Sequence, residues 1–391
     1  MRIVDIRERT VPISRYADPR IPSGGLNTSV VAIVTDIHRE GVPVVGFGFS
    51  SFGRFGQGGL IRERFAPRLL AAGETDLAMG SRDTLDPFRA WDCMMAGEKL
   101  GGHGERCVAV GTLDMALWDA AAKMAGKPLY RFLGDCVGRE PSRPAVPVYA
   151  SGGYYFPSDG IARLRDETRQ SLDHGYTHVK IKIAGRPLAE DLRRIDAVLS
   201  LLPGGDHLAV DAMNQYTPES GLQAAKALAS YNLQWFEDIC DPLDFETQAH
   251  IARAYDPPVA AGEALFSLAD ARNLIRYGGL RPDRDVLVFD PVHCYGLPEY
   301  LGIIQMLEEH GWSRTACRPH GGHLFCLHVA AALGLGGCES NPHSFQPFGG
   351  FADGAVIEDG SILPPEAPGI GFETRSALRN VFRSLLGSIQ P

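Results

Sequence analysis

The chain has 391 residues, of which 45% are hydrophobic and 22% charged, and its formal net charge is −9. It is longer than one ordinary domain and apolar enough to bury a large core. The acidic balance argues against nucleic acid or an anionic membrane surface as a partner, and no apolar run reaches the roughly 18 residues of a spanning helix. The N-terminal Met1-Arg2-Ile3-Val4-Asp5-Ile6 reads as a strand rather than a secretory leader. Eight cysteines (93, 107, 136, 240, 294, 317, 326 and 338) are scattered, with no C-x-x-C pair. That pattern suits buried thiols in a reducing compartment, so a cytoplasmic protein is expected.

Strand-like runs near 2–14, 28–38 and 42–50 come first, the last two joined by a hairpin turn at Arg39-Glu40-Gly41. Helical patterns follow near 58–71, 87–99 and 106–126, with Gly126 as a stop signal. Strands followed by helices predict an α+β domain over 1–140. Its glycine-rich loops at 15–27 and 50–59 read as lid segments. From about residue 144 strands and helices alternate strictly. Strands are predicted at 144–151, 177–183, 207–213, 233–238, 258–263, 286–291, 315–320 and 336–341. Eight strands with interposed helices predict a parallel α/β barrel over 141–345. A doubly wound sheet is the runner-up, but no G-x-G-x-x-G opens its first unit. Residues 346–391, Gly/Pro-rich and then helical, are expected to return to the N-terminal domain.

Chemistry in such a barrel sits where the strands end. Those ends carry Lys180 and Lys182, then Asp211, Glu237, Glu263, Asp290, His320 and Glu339. Asp211, Glu237 and Glu263 are spaced by 26 and again 26 residues, one βα unit each, which sets three carboxylates at one level. Three converging anions need a cation, and an all-oxygen set selects Mg²⁺ first and Mn²⁺ second. In the stretch THVKIKIAG (177–185) the two lysines share one strand face, and the barrel turns that face inward. Two adjacent ammonium groups should lower each other's pKa and suit Lys182 to act as a base. His320 backed by Asp290 forms an oriented imidazole; His323 in HGGH leaves open a structural or ligand role for the histidines.

K-x-K on strand two, Asp/Glu/Glu on strands three to five and an Asp–His pair on strands six and seven resemble the enolase superfamily, mandelate racemase subgroup, over the whole chain. Within it the sequence is most similar to the acid-sugar dehydratases. The resemblance implies a (β/α)7β modified TIM barrel under an N-terminal capping domain. It implies Asp211, Glu237 and Glu263 as Mg²⁺ ligands, and Lys182 and His320, paired with Asp290, as acid/base groups on opposite faces. Lys180 and Glu339 would meet the substrate carboxylate. The copy departs in D-A-M-N-Q-Y on strand three and E-D on strand four, which touches only the surroundings of the ligands.

The expected reaction is α-proton abstraction to a metal-stabilised enediolate with loss of the β-hydroxyl. D-tartrate, giving oxaloacetate, is the foremost substrate, and a longer acid sugar is the alternative. A racemase or epimerase would reprotonate the same carbon, and a non-catalytic barrel would have been expected to lose some of these groups. A diacid needs a distal cation, for which Lys99 in GEKLGGHGER is preferred over Arg20 and Arg54. Tyr154 and Asn341 are placed among the substrate-binding residues. A homo-oligomer acting on a small molecule is expected.

Overall fold

The computed structural model describes residues 1–18, 20–80, 83–139 and 145–387. The boundary expected between 140 and 141 lies outside them. Three antiparallel strands, β1 (Ile3–Pro12), β2 (Asn27–Arg39) and β3 (Val42–Phe49), form the first sheet in chain order. Glu40 and Gly41 turn β2 into β3 with positive φ of 51° and 84°. The helix Glu105–Met124 packs on this sheet at very short range. A Cβ on Gly46 would stand 2.0 Å from the Ala116 carbonyl oxygen, and one on Gly48 would stand 2.5 Å from that of Thr112. Glycine on the strand is therefore what lets helix and sheet meet.

The second sheet is parallel: β4 (Val146–Gly152), β5 (Val179–Lys182), β6 (Leu208–Asp211), β7 (Trp235–Glu237), β8 (Val259–Ala261), β9 (Val286–Leu287) and β10 (Cys338–Ser340). The β10 strand pairs with β4, and the order then runs unbroken to β9. The strand expected at 315–320 is not formed. Its place is taken by a single parallel bridge, Leu287 to Cys317, after the short helical turn Arg314–Ala316. Gly336 N–H donates to the Cys317 carbonyl at 3.0 Å and links this rung to the β10 segment. Pro319, two residues on, has no N–H to extend a ladder, which helps keep the rung short. The ring thus follows a modified α/β barrel with a weak seventh position.

Alternation holds along β5, yet all four residues are buried, with Lys180 only 1% and Lys182 6% exposed. Beneath them Tyr149, Ala209, Trp235, Ala260, Val286 and Val288 form a separate apolar cluster. Side chains of every second strand residue thus close the barrel floor and leave the polar strand ends at the mouth. An additional short strand, β11 (Ser361–Ile362), runs antiparallel to β4. The C-terminal helix Ser376–Leu386 lies against the first sheet: the Phe382 and Phe47 rings stack at 4.5 Å, and Arg9 donates to Ser384 Oγ at 2.6 Å.

Candidate active site

Asp211 and Glu237 end β6 and β7, and Glu263 follows β8 by two residues. Their facing atoms lie within 4.8 Å of one another. Asp211 accepts from Lys182 Nζ and, through Oδ1, from the Met213 N–H at 2.7 Å. Glu237 accepts from Lys180 Nζ with one oxygen and from the Trp235 indole N–H, at 2.6 Å, with the other. Burial first, then the neighbouring Asp211, Glu339 and Glu263 charges, push the Glu237 carboxyl up to about 7 despite Lys180. Asp238 fares worse. Burial, then Glu263, Asp211 and Glu237, hold it well above the usual range, and its Oδ2 is buried with no hydrogen-bond partner. Glu263 Oε2 is likewise buried without a hydrogen bond, with His320 Nε2 at 3.3 Å as an ion-pair neighbour. An orphaned carboxylate oxygen on Glu263, in an all-oxygen cluster with Asp211 and Glu237, fits a hard divalent cation.

The lysines do not discharge each other as their adjacency predicts. Burial disfavours both ammonium groups, but Asp211 overrides it for Lys182, while Glu237 and Glu339 override it for Lys180, and both pKa values rise. Each lysine is thus held by a carboxylate of the cluster, because their shared face looks at anions rather than only at its own pair. Lys180 also lies 3.2 Å from Glu339 Oε1, and the Gly321 N–H donates to Glu339 Oε2 at 3.1 Å. Glu339 is drawn down to about 2: burial opposes its charge, and Lys180, His320 and Lys182 outweigh that.

Across the mouth, His320 follows the Cys317 rung and its Nδ1 lies 2.9 Å from Asp290 Oδ2. The other Asp290 oxygen accepts from the Val292 and His293 N–H groups at 2.7 and 3.3 Å. Burial works against protonation of His320, but Glu263, Asp290 and Glu339 overcome it and push its pKa up to about 10. His323 points elsewhere: burial drives it down to about 3, and its Nε2 lies 3.2 Å from Ser51 Oγ. The ambiguity of the HGGH stretch therefore resolves into two environments, with His320 on the cavity and His323 behind it.

A cavity of about 480 Å³ spans this mouth and the first sheet's loops. It is lined by Lys182, Glu263, His320 and Glu339, together with Tyr154 and Asn341. The Tyr154 ring covers Lys182, with Nζ 5.4 Å from its centroid, and Asn341 Nδ2 donates to the Gly321 carbonyl at 3.3 Å. The expected distal cation Lys99 is not among the lining residues. It is exposed beyond the helix Pro87–Met95, and its carbonyl accepts from Arg106, which fixes that glycine-rich turn away from the cavity. Arg20 is also outside, clamped by Asp18 at 2.8 Å. Arg54 does line the cavity. Its guanidinium lies over the Phe266 ring at 4.7 Å, its Nε is buried with no hydrogen-bond partner, and no carboxylate among the described residues pairs with it. Arg15, Ser51 and His293 escaped the sequence reading. Arg15 and Ser51 lie in the two flagged loops without being singled out, and His293 lies three residues past Asp290, whose Oδ2 both Ser51 and His293 approach.

These carboxylates, lysines and dyad on an α/β barrel define a superfamily, and the chain belongs to it: residues 163–378 match the enolase C-terminal domain-like family. L-Talarate/galactarate dehydratase of Salmonella typhimurium is 30% identical over 350 residues, covering 88% of this chain and 81% of the relative. Arabinonate dehydratase of Saccharolobus solfataricus is 27% identical over 74% of this chain and 76% of its own length. The crystal structure of L-talarate dehydratase from Polaromonas sp. JS666, complexed with Mg and L-glucarate, superposes with a TM-score of 0.68 at 27% identity over 94% of each chain. Among the described residues no helix is long and apolar enough to cross a membrane, and all eight cysteines are free.

Proposed function

We propose that the protein is a Mg²⁺-dependent dehydratase of an acid sugar, with Asp211, Glu237 and Glu263 as the metal ligands. The observation that carries the reading is the convergence of these three carboxylates at the edge of a cavity that Glu263 lines together with Lys182 and His320. The Mg-bound dehydratase relative supports the metal and the substrate class. A divalent ion there would neutralise the charge that grows on the substrate carboxylate as the α-proton leaves. Lys182 takes that proton on its Nζ as the neutral amine, a form that a cation bound to Asp211 would favour by drawing off the charge that otherwise holds the ammonium. His320 gives its Nε2 proton to the β-hydroxyl as the C–O bond breaks, so water departs and the enol product tautomerises to a 2-keto acid. Asp290 accepts from the Nδ1–H of the protonated imidazole and so keeps the Nε2–H aimed at the cavity. Lys180 and Glu339 frame the substrate carboxylate end, and Tyr154 and Asn341 offer hydrogen bonds to hydroxyls.

The unpaired Arg54 beside the cavity favours a substrate with a second anionic end. D-tartrate is the shortest such diacid, but its assignment leaned on Lys99, which lies outside the cavity. The six-carbon diacids named for relatives therefore stand beside it as candidates. Purified protein with Mg²⁺ should form a keto acid from one or more four- to six-carbon diacids, and excess EDTA should abolish this until Mg²⁺ is restored. Full turnover in EDTA with no bound metal sinks the reading.

A further inference from the structure

The loop after β3 sends one side chain under the acid/base pair. Ser51 Oγ–H donates to Asp290 Oδ2 at 2.6 Å, the same oxygen that accepts from His320 Nδ1 at 2.9 Å. Ser51 Oγ in turn lies 3.2 Å from His323 Nε2, the nitrogen free to donate to it. The chain of donors His323, Ser51 and His320 thus ends on one carboxylate oxygen, 239 residues along the sequence from Ser51. All of these groups are buried.

Two further features show that the contact is built. Ser51 adopts φ of 57°, a region a non-glycine residue enters at a cost of about 1 kcal/mol or more, so the surroundings must hold it there. Phe52 supplies that hold, stacked on Phe345 at 4.4 Å and edge-on to His323 at 5.6 Å. On the barrel side, Gly321 at φ of 112° leaves the space: a Cβ on it would stand 2.8 Å from both Ser51 Oγ and His323 Nε2. Three residues past Ser51 the same loop delivers Arg54 to the cavity.

We infer that Ser51 is a positioning residue for the dehydration step, holding Asp290 so that His320 aims its proton at the leaving hydroxyl. Asp290 Oδ1 is already fixed by backbone N–H groups, so Ser51 decides where the free Oδ2, and with it the imidazole plane, can settle. Because the serine comes from the N-terminal domain, the barrel alone does not complete its own acid/base pair. Substrate held by Arg54 on this loop would stabilise the loop that seats Ser51, tying recognition of the remote end to readiness of the acid.

The inference rests on the dehydratase reading, and its test separates the two. Ser51→Gly removes the hydroxyl and suits the backbone, while Ser51→Ala removes it and keeps the strain, so the glycine variant should be the more stable. Both should lose about ten- to a hundredfold in kcat with KM within about twofold, the size expected for a displaced proton donor. Exchange of the substrate α-proton with deuterium, the Lys182 step, should persist in both. In ¹⁵N-histidine-labelled protein without substrate, the His320 Nδ1–H signal, assigned by its loss in His320→Asn, should move in both variants. A kcat loss confined to the less stable variant, an equal fall in exchange and dehydration, or an unmoved His320 signal overturns the role. If the wild type dehydrates no acid sugar but the signal moves, the functional reading fails and the positioning survives.

Discussion

His328 offers a stability test whose size follows from its surroundings. It sits on the helix Leu324–Leu333, eight residues beyond His320, and is fully buried. Its Nδ1 accepts the Tyr130 N–H at 3.1 Å, and its Nε2–H donates to the Ile370 carbonyl at 3.0 Å. Nδ1 can accept only in the neutral imidazole, so the ring ties three remote segments together in one protonation state. Burial drives its pKa from 6.5 down to about 4, with Ile370 and Glu366 pulling weakly the other way. The folded state therefore binds the proton less readily than the unfolded chain, and stability falls as pH drops below 6.5. A shift of that size is worth about 3 kcal/mol at about 1.4 kcal/mol per unit, fully lost once pH passes the folded value. Urea unfolding of the wild type and of His328→Leu between pH 7.5 and 4 isolates it, since the other titrating groups are common to both. The leucine variant should be less stable at neutral pH, because Tyr130 N–H and Ile370 C=O lose their partner. Its deficit should shrink by about 3 kcal/mol on acidification. A constant difference across this range would refute the assignment of a neutral, doubly bonded His328.

Other expectations concern turnover and packing. Lys182→Ala should abolish both α-proton exchange and dehydration, whereas His320→Asn should abolish dehydration and still exchange the proton; equal exchange in both variants overturns the assignment of Lys182 as the base. Arg54→Leu should cut kcat/KM on diacids by about thirtyfold or more, the scale of a lost charge-assisted contact, and Lys99→Ala should cost far less. The reverse ranking in steady-state kinetics would return the distal anion to Lys99. Gly111→Ala should cost about 1–3 kcal/mol, since its Cβ would stand 1.9 Å from the Val292 carbonyl oxygen. Because Val292 N–H also anchors Asp290, its kcat should fall by more than thermal melting accounts for, and unchanged kcat would show that the helix yields instead.

What could be read from the sequence divides by how far each signal reaches. The three clustered carboxylates were legible because one βα unit repeats, and the 26-residue step from Asp211 to Glu237 to Glu263 records that repeat directly. The seventh strand was over-read for the same reason. The pattern demands a strand before His320, but Pro319 limits it to the single bridge at Cys317, a loss that alternation cannot show. The lysine pKa values were misjudged because adjacency counts only like charges along the strand, whereas Asp211 and Glu237 arrive from neighbouring strands. Cap residues are harder still. Lys99 and Arg54 look alike in sequence, each a cation beside glycines. What separates them is that Arg106 binds the carbonyl of Lys99 and holds its turn aside, while Phe266 supports Arg54 over the mouth. Ser51 was legible only as part of the glycine-rich loop 50–59, because its partner Asp290 arrives from the barrel and one hydroxyl has no pattern. Residues that act across the two sheets are set by docking, so the specificity of the site is written where periodicity ends.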